Sequence, residues 1–375
     1  MPEFYENPTR RIIQNGALAS LRECIENYLP KRLLLVLGRS SFQTSQYYTS
    51  LKNQLASWSI EESAPVLENP TVSFIKNFCD LYRNKEFGCV VAIGGGSVLD
   101  VAKLASVLLL QPPDALDRTL REGQAFPDRK IPLIAIPTTS GTGSEVTPYA
   151  SITTDEGRKV SVTRDSLYPT IALMDPLLTH SMPAYMTVST GFDVLCQGIE
   201  SFWSKRHSPF SDLHALKAVE LAVRYLKIAV EKPTDSEARF FMALASCEAG
   251  LAIAHTATTA VHAVSYPFTV RFKVPHGHAC ALTLASFIRF NEPMMREARY
   301  RQLWQAMGVA SASEAADAVE RLMNEVHLEN IISKLGVDDK GVETVIREGF
   351  RRDRVTNNPR ELTPEALREI LQKIR

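Results

Sequence analysis

Cys89-Val90-Val91-Ala92-Ile93-Gly94-Gly95-Gly96-Ser97-Val98-Leu99-Asp100 is the stretch that decides the fold. Five apolar residues in succession read as a strand buried on both faces of a parallel sheet, because a half-exposed strand would alternate. Three glycines and a serine then break the strand, and residues 98–110 continue as an apolar helix that carries Lys103. The same unit recurs outward in both directions. Upstream, residues 33–37 form an apolar run ending at Gly38, followed by a helical pattern over 40–58. Asn69-Pro70 then opens a second helical pattern over 71–83. Downstream, residues 131–137 form a third buried strand that runs into a Thr/Ser/Gly loop. Strands alternating with helices predict βαβ units and a parallel sheet.

After Met174-Asp175-Pro176 the character changes. Strand signals give way to helical patterns over 186–204, 210–231, 236–254, 300–307, 312–326 and 364–374. Prolines 169, 176 and 183 put the junction near 176–184. The expected plan is therefore an α/β domain over residues 1–180 and an all-helical domain over 181–375. A chain of 375 residues is too long for one ordinary core, which agrees. No internal repeat or low-complexity segment interrupts it.

Composition narrows the function classes. Lys+Arg and Asp+Glu balance at 42 each, so no basic footprint for nucleic acid or an anionic membrane is expected. The longest apolar runs are too short to span a bilayer. Met1-Pro2-Glu3-Phe4-Tyr5 lacks a basic segment followed by an apolar one, so no leader is expected. Six scattered cysteines without a CxxC pair read as reduced core thiols, in keeping with a cytoplasmic protein.

Two loops follow predicted strands. Gly94-Gly95-Gly96-Ser97 lets backbone approach a pyrophosphate at a helix N-terminus, or else it is a simple turn; it is not a GxGxxG fingerprint. Pro137-Thr138-Thr139-Ser140-Gly141-Thr142-Gly143-Ser144-Glu145-Val146 concentrates hydroxyls and N–H groups that suit phosphate and ribose, the alternative being a polar turn. In the second half, Asp193 and Gln197 share one helical face at i, i+4. His262 sits in an apolar helical stretch, and His276 follows in Val274-Pro275-His276-Gly277-His278. One Asp and two His suit Fe2+ or Zn2+. Asp193 pairing locally and His262 as a hydrogen-bonded core residue are the alternatives, and His255 and His278 are competing ligands.

These markers, with Asp100, Lys103 and Asp175-Pro176, resemble the iron-dependent (group III) alcohol dehydrogenase family over nearly the whole chain. The resemblance implies a dehydroquinate synthase-like architecture, in which the α/β domain binds a dinucleotide. The active site would lie in the cleft between the domains, with a divalent metal on the helical side, in a homodimer. The family's metal is held by one Asp and three His. Asp193, His262 and His276 match three of these, as metal ligands and catalytic residues, and Gln197 replaces the fourth. Tyr266 stands where many members have a further His. NAD(P)H would be held by Gly38, Arg39, Ser40, Gly94, Gly95, Gly96, Ser97, Asp100, Thr138, Thr139, Ser140, Thr142 and Ser144. No carboxylate follows the first strand, and Arg39 with Ser40 and Ser41 suits a 2′-phosphate, so NADPH is expected to be usable.

Within the family, Gln197, Trp203 and Asn357-Asn358-Pro359-Arg360-Glu361-Leu362-Thr363 look most like the phosphonoacetaldehyde reductases, with sulfoacetaldehyde reductases next. The expected reaction is reduction of a small anionic aldehyde to a primary alcohol, phosphonoacetaldehyde to 2-hydroxyethylphosphonate first. Sulfoacetaldehyde reduction or general alcohol dehydrogenation is the alternative. A metal-dependent lyase or cyclase, or a non-catalytic nucleotide-binding protein, are the readings of another class. Lys159, Arg164, Tyr266, Arg271 and Arg360 are the substrate candidates, with Arg158, Lys273 and Arg354 as further cations.

Overall fold

The computed structural model describes residues 6–28, 30–39, 42–124, 126, 130–295, 298–350 and 352–375. The chain divides into two compact units, an α/β unit of Glu6–Thr139 with Ser144–Thr179, and a helical unit of His180–Arg375 with Ser140–Gly143.

Among its described residues the α/β unit has eight strands: β1 (Arg10–Ile13), β2 (Arg32–Leu37), β3 (Ser59–Glu62), β4 (Cys89–Gly94), β5 (Leu133–Pro137), β6 (Tyr149–Thr153), β7 (Lys159–Thr163) and β8 (Ile171–Met174). Six form one sheet in the order β1-β8-β5-β4-β2-β3, with every neighbouring pair parallel. Strands β6 and β7 make a separate antiparallel pair. The three strands expected from continuous apolar runs are the central ones. Alternate residues of β2, β4 and β5 enter opposite cores. Leu34, Val36, Val90, Ala92, Leu133 and Ala135 pack under the Val72–Tyr82 and Gly96–Leu108 helices. Leu33, Leu35, Val91, Ile93, Ile134 and Ile136 join a second core on the other face.

From β2 the chain moves outward to β3, then returns past β2 to β4 and continues the other way to β5. The order therefore reverses between β2 and β4. In an open parallel sheet the ligand crevice lies outside the carboxyl ends of the strands at such a reversal. Gly38 follows β2 and the glycine run closes β4, so both flank that point.

Strands β1, β3 and β8 and the β6–β7 pair were not expected. β1 and β3 are edge strands of four residues whose side chains are half or fully exposed, so neither has a buried apolar run. The helix expected over 40–58 is shorter, Gln46–Leu55.

The helical unit contains no strand among its described residues. Helices Ala184–Trp203, Pro209–Glu231, Ser236–Thr256, Ala260–Phe272 and His276–Asn291 share one core with Ala312–Glu325, Asp339–Gly349 and Pro364–Lys373. Ser208 caps the second with a reciprocal bond to Ser211, and Pro209 occupies its first turn, where the missing N–H costs nothing. Among the described residues, no single helix is long and apolar enough to cross a membrane.

Candidate functional site

Three helices of the helical unit bring four donors together. Asp193 comes from Ala184–Trp203, His262 from Ala260–Phe272, and His276 and Cys280 from His276–Asn291. One ligand atom of each lies within 4.8 Å of the others. His262 Nε2 is 3.2 Å from Asp193 Oδ1, and His276 Nε2 is 4.0 Å from the same oxygen. Asp193, His262 and Cys280 are buried, and His276 is a quarter exposed. Glycine makes the convergence possible. A Cβ on Gly277 would stand 1.8 Å from the Ser189 carbonyl oxygen, so only glycine lets this helix start against the Asp193 helix.

Buried polar groups orient the donors. Glu200, two turns beyond Asp193 on the same helix, accepts from His262 Nδ1 and also from Thr259 N, Thr259 Oγ1 and His262 N. This fixes the His262 tautomer and leaves Nε2 facing Asp193. Tyr266 stacks on His276 with ring planes 11° apart. Ser265 Oγ lies 3.4 Å from His276 Nδ1. Burial pushes the Asp193 carboxyl up, but the His262 hydrogen bond and the charge of His276 hold it below its ordinary range.

These residues fit a divalent cation. A buried carboxylate, two imidazoles and a thiol are borderline donors suited to Zn2+ or Fe2+. Gln197 is buried one helical turn from Asp193 and favours the charged form of its carboxyl, while Gln197 Oε1 has no partner. Cys280 and Glu200 were missed in the sequence. The available signals were their spacings, i+4 from His276 and i+7 from Asp193, each on its partner's helical face. His278 is engaged elsewhere, with Tyr185 Oη at 2.8 Å from Nδ1 and the Glu329 carbonyl at 2.6 Å from Nε2. His255 is not among the converging donors.

In the α/β unit, the 13-residue Gly96–Leu108 helix begins at Gly95 with no side-chain cap, so its first N–H groups are available to an anion. A Cβ on Gly94 would lie 2.5 Å from Val98 Cγ2, so glycine is required for the turn to close on the helix. Thr138 N donates to the Gly94 carbonyl, and Thr139 stands beside Gly95. Ser97 Oγ accepts from Asn69 N at 3.2 Å. Gly38 and Arg39 follow β2, with Arg39 exposed; Ser40 and Ser41 lie outside the described residues.

The second loop is divided. Ser140–Gly143 belongs to the helical unit. There Gly141 abuts Thr190, and Gly143, at φ +60°, abuts the backbone of Gly250. Ser140 Oγ is buried without a partner, and Thr142 is half-buried. Asp100 and Ser144 turn toward each other: Ser144 Oγ donates to Asp100 Oδ1 at 2.6 Å. Lys103, fully buried, donates to Ser144 Oγ, Thr147 Oγ1 and the Tyr149 carbonyl. Burial lowers Lys103 to about 8 and raises neighbouring Glu145 to about 7.

The cationic candidates have local partners. Arg271 forms a two-pronged pair with Glu348. Arg164 donates to the carbonyls of Thr163, Gly123 and Gln124. Arg360 donates to the Phe290 carbonyl and lies over that ring. Lys273 donates to the Val270 carbonyl and Arg354 to Thr258 Oγ1. Lys159 lies on β7, where its charge acts on Asp100; Arg158 precedes that strand.

Comparison with known proteins agrees with this geometry. The family model Iron-containing alcohol dehydrogenase matches residues 8–176, and Fe-containing alcohol dehydrogenase family, C-terminal, matches residues 187–375. The 1-propanol dehydrogenase of Salmonella typhimurium is 33% identical, with 98% of each chain covered. Long-chain-alcohol dehydrogenase 1 of Geobacillus thermodenitrificans is 30% identical over 84% of this chain and 82% of its own. The crystal structure of a sulfoacetaldehyde reductase from Bifidobacterium kashiwanohense with NAD+ superposes with a TM-score of 0.93 at 32% identity, covering 100% of this chain and 99% of that one. With both units matched and the donor cluster in place, the chain belongs to the iron-containing alcohol dehydrogenase family, as a metal-assisted, NAD(H)-dependent oxidoreductase acting on a small aldehyde or alcohol.

Proposed function

We propose that this enzyme reduces a small aldehyde bearing a strong anion to its primary alcohol, with sulfoacetaldehyde ahead of phosphonoacetaldehyde. The observation that carries this reading is the full-length likeness to the sulfoacetaldehyde reductase. The order reverses the one expected from Gln197, Trp203 and residues 357–363. Apart from Gln197, the markers that have contacts serve as framework. Trp203 Nε1 donates to Thr259 Oγ1, Asn357 to the Thr256 and Thr258 carbonyls, and Asn358 to Asn291 and the Arg360 carbonyl. They brace helices and carry no information about a sulfur or phosphorus centre.

Asp193, His262 and His276 would hold the divalent cation, Fe2+ or Zn2+. When bound, it supplies Lewis-acid polarisation of the carbonyl oxygen, and the reduced nicotinamide supplies hydride. Glu200 keeps His262 in the tautomer that presents Nε2. The N–H groups opening the Gly96–Leu108 helix offer a seat for the dinucleotide's pyrophosphate, with Thr138 and Thr139 beside it.

Steady-state assays with NADH and an aldehyde panel, run beside metal analysis, test the reading. A sulfonate- or phosphonate-bearing aldehyde should exceed an uncharged one of similar size by about 10–100-fold in kcat/KM, the value of one charge-assisted hydrogen bond. Equal efficiency would remove the anion from the proposal. His276→Ala should lose bound metal and activity together; full activity in the metal-free variant would sink the metal's role.

A further inference from the structure

We propose that the Cys280 thiolate is the fourth protein ligand of the metal, in place of the imidazole that Gln197 replaces, and that it turns the site toward Zn2+ over Fe2+. The inference rests on the metal reading above and concerns which atoms complete it. His276 and Cys280 lie at i, i+4 in the first turns of one helix, the spacing that sets two side chains on one face. Cys280 is buried beside His262, whose Nε2 is itself 3.2 Å from Asp193 Oδ1. All four donor atoms fall within 4.8 Å. A tetrahedron with bonds of about 2.0–2.3 Å has edges of about 3.3–3.8 Å, so small rotations close the set around one ion.

Gln197 is the rival. Its side chain stands one helical turn from Asp193 on the same helix and favours the charged form of that carboxyl, while Oε1 remains buried and unpartnered. An amide oxygen is a hard, neutral donor, whereas a thiolate is soft and anionic and suits zinc among the two metals considered. Zinc also accepts a fifth donor, so four protein ligands still admit a substrate oxygen. Binding replaces the thiol proton by the metal: the S–H bond breaks, the metal–sulfur bond forms, and one proton leaves to solvent.

The test is cobalt substitution of the full-length protein, with metal content, absorption spectrum and proton release measured together. Wild type should bind one Co2+ in the donor cluster and show an intense near-ultraviolet thiolate-to-cobalt charge-transfer band. Cys280→Ser should still take up Co2+ in excess but lose that band and release one proton fewer. Its zinc affinity should fall by more than the about 10–100-fold that removing an outer partner costs, with a smaller fall for Fe2+. Gln197→Ala and Cys196→Ser should keep the band; Cys196 is the control because it is the buried thiol that neighbours Cys280. If Cys280→Ser fails to fold by circular dichroism, Cys280→Ala and the wild-type spectrum decide. Stoichiometric cobalt without the band overturns the thiolate ligand and leaves the metal reading intact. A band that survives in Cys280→Ser also overturns it. No bound cobalt in any form overturns the metal reading itself.

Discussion

Adding one methyl group at Gly277 should separate the metal donors. The new Cβ would stand 1.8 Å from the Ser189 carbonyl oxygen, 2.7 Å from its carbon and 3.0 Å from Asp193 Cβ. The first two are backbone atoms inside the Ala184–Trp203 helix and cannot swing aside. Restoring even a 3.0 Å separation from that oxygen needs the start of the His276–Asn291 helix to withdraw by about 1.2 Å. His276 and Cys280 ride on that helix, and His276 Nε2 is already 4.0 Å from Asp193 Oδ1. A misplacement of about 1 Å costs catalysis about 100-fold, and overpacking a core costs about 1–3 kcal/mol of stability. Gly277→Ala should therefore remain folded with a lowered melting temperature, bind metal far more weakly, and lose about 100-fold in kcat/KM. Chelator competition, circular dichroism and steady-state assays read the three effects. Wild-type metal affinity and rate in a folded Gly277→Ala would refute the claim that this backbone approach sets the donor geometry.

Glu200→Gln keeps the side-chain volume but removes the charge that receives the His262 Nδ1 proton. Metal affinity should drop about 10–100-fold by chelator competition, and an unchanged affinity would show that His262 needs no such partner. Glu145 gives a pH signature. Burial raises its folded-state pKa from 4.5 to about 7. Between those values the folded chain holds a proton that the unfolded chain has lost, so its contribution, present at low pH, is lost as pH rises through about 7. The whole effect is roughly 3 kcal/mol. Denaturant titrations from pH 4 to pH 8 should show Glu145→Gln without that part of the decline, and parallel profiles would contradict it.

The central strands were legible because β2, β4 and β5 are uninterrupted apolar runs, which polar surface segments do not imitate. β1 and β3 were not, since Arg10–Ile13 and Ser59–Glu62 hold their places by backbone pairing, with mostly exposed side chains. Asp193 and His262 were visible as polar residues inside apolar helices, where burial without a partner is costly. Cys280 was hidden for the opposite reason: a cysteine among Ala279, Ala281 and Leu282 looks like ordinary packing. Gly141 and Gly143 read as parts of a nucleotide loop, and each is also needed where it packs, Gly141 against Thr190 and Gly143 against the backbone of Gly250. A glycine records that something comes close, and only the fold decides what.

The pairing of β1 with β8 bears on how the α/β unit is made in the cell. Its first and nearly last segments are neighbours, and Thr9 Oγ1 bonds the Pro169 carbonyl across 160 positions of chain. A ribosome therefore has to deliver almost the entire unit before its first strand finds a partner. Until then β1 waits unpaired and the flank of β5 that β8 will cover stays open. Such distant pairing slows folding and prolongs exposure of sheet edges. The nascent chain is thus at its most vulnerable to aggregation just before Ile171–Met174 emerges, a window in which chaperone capture or slow local translation would matter most.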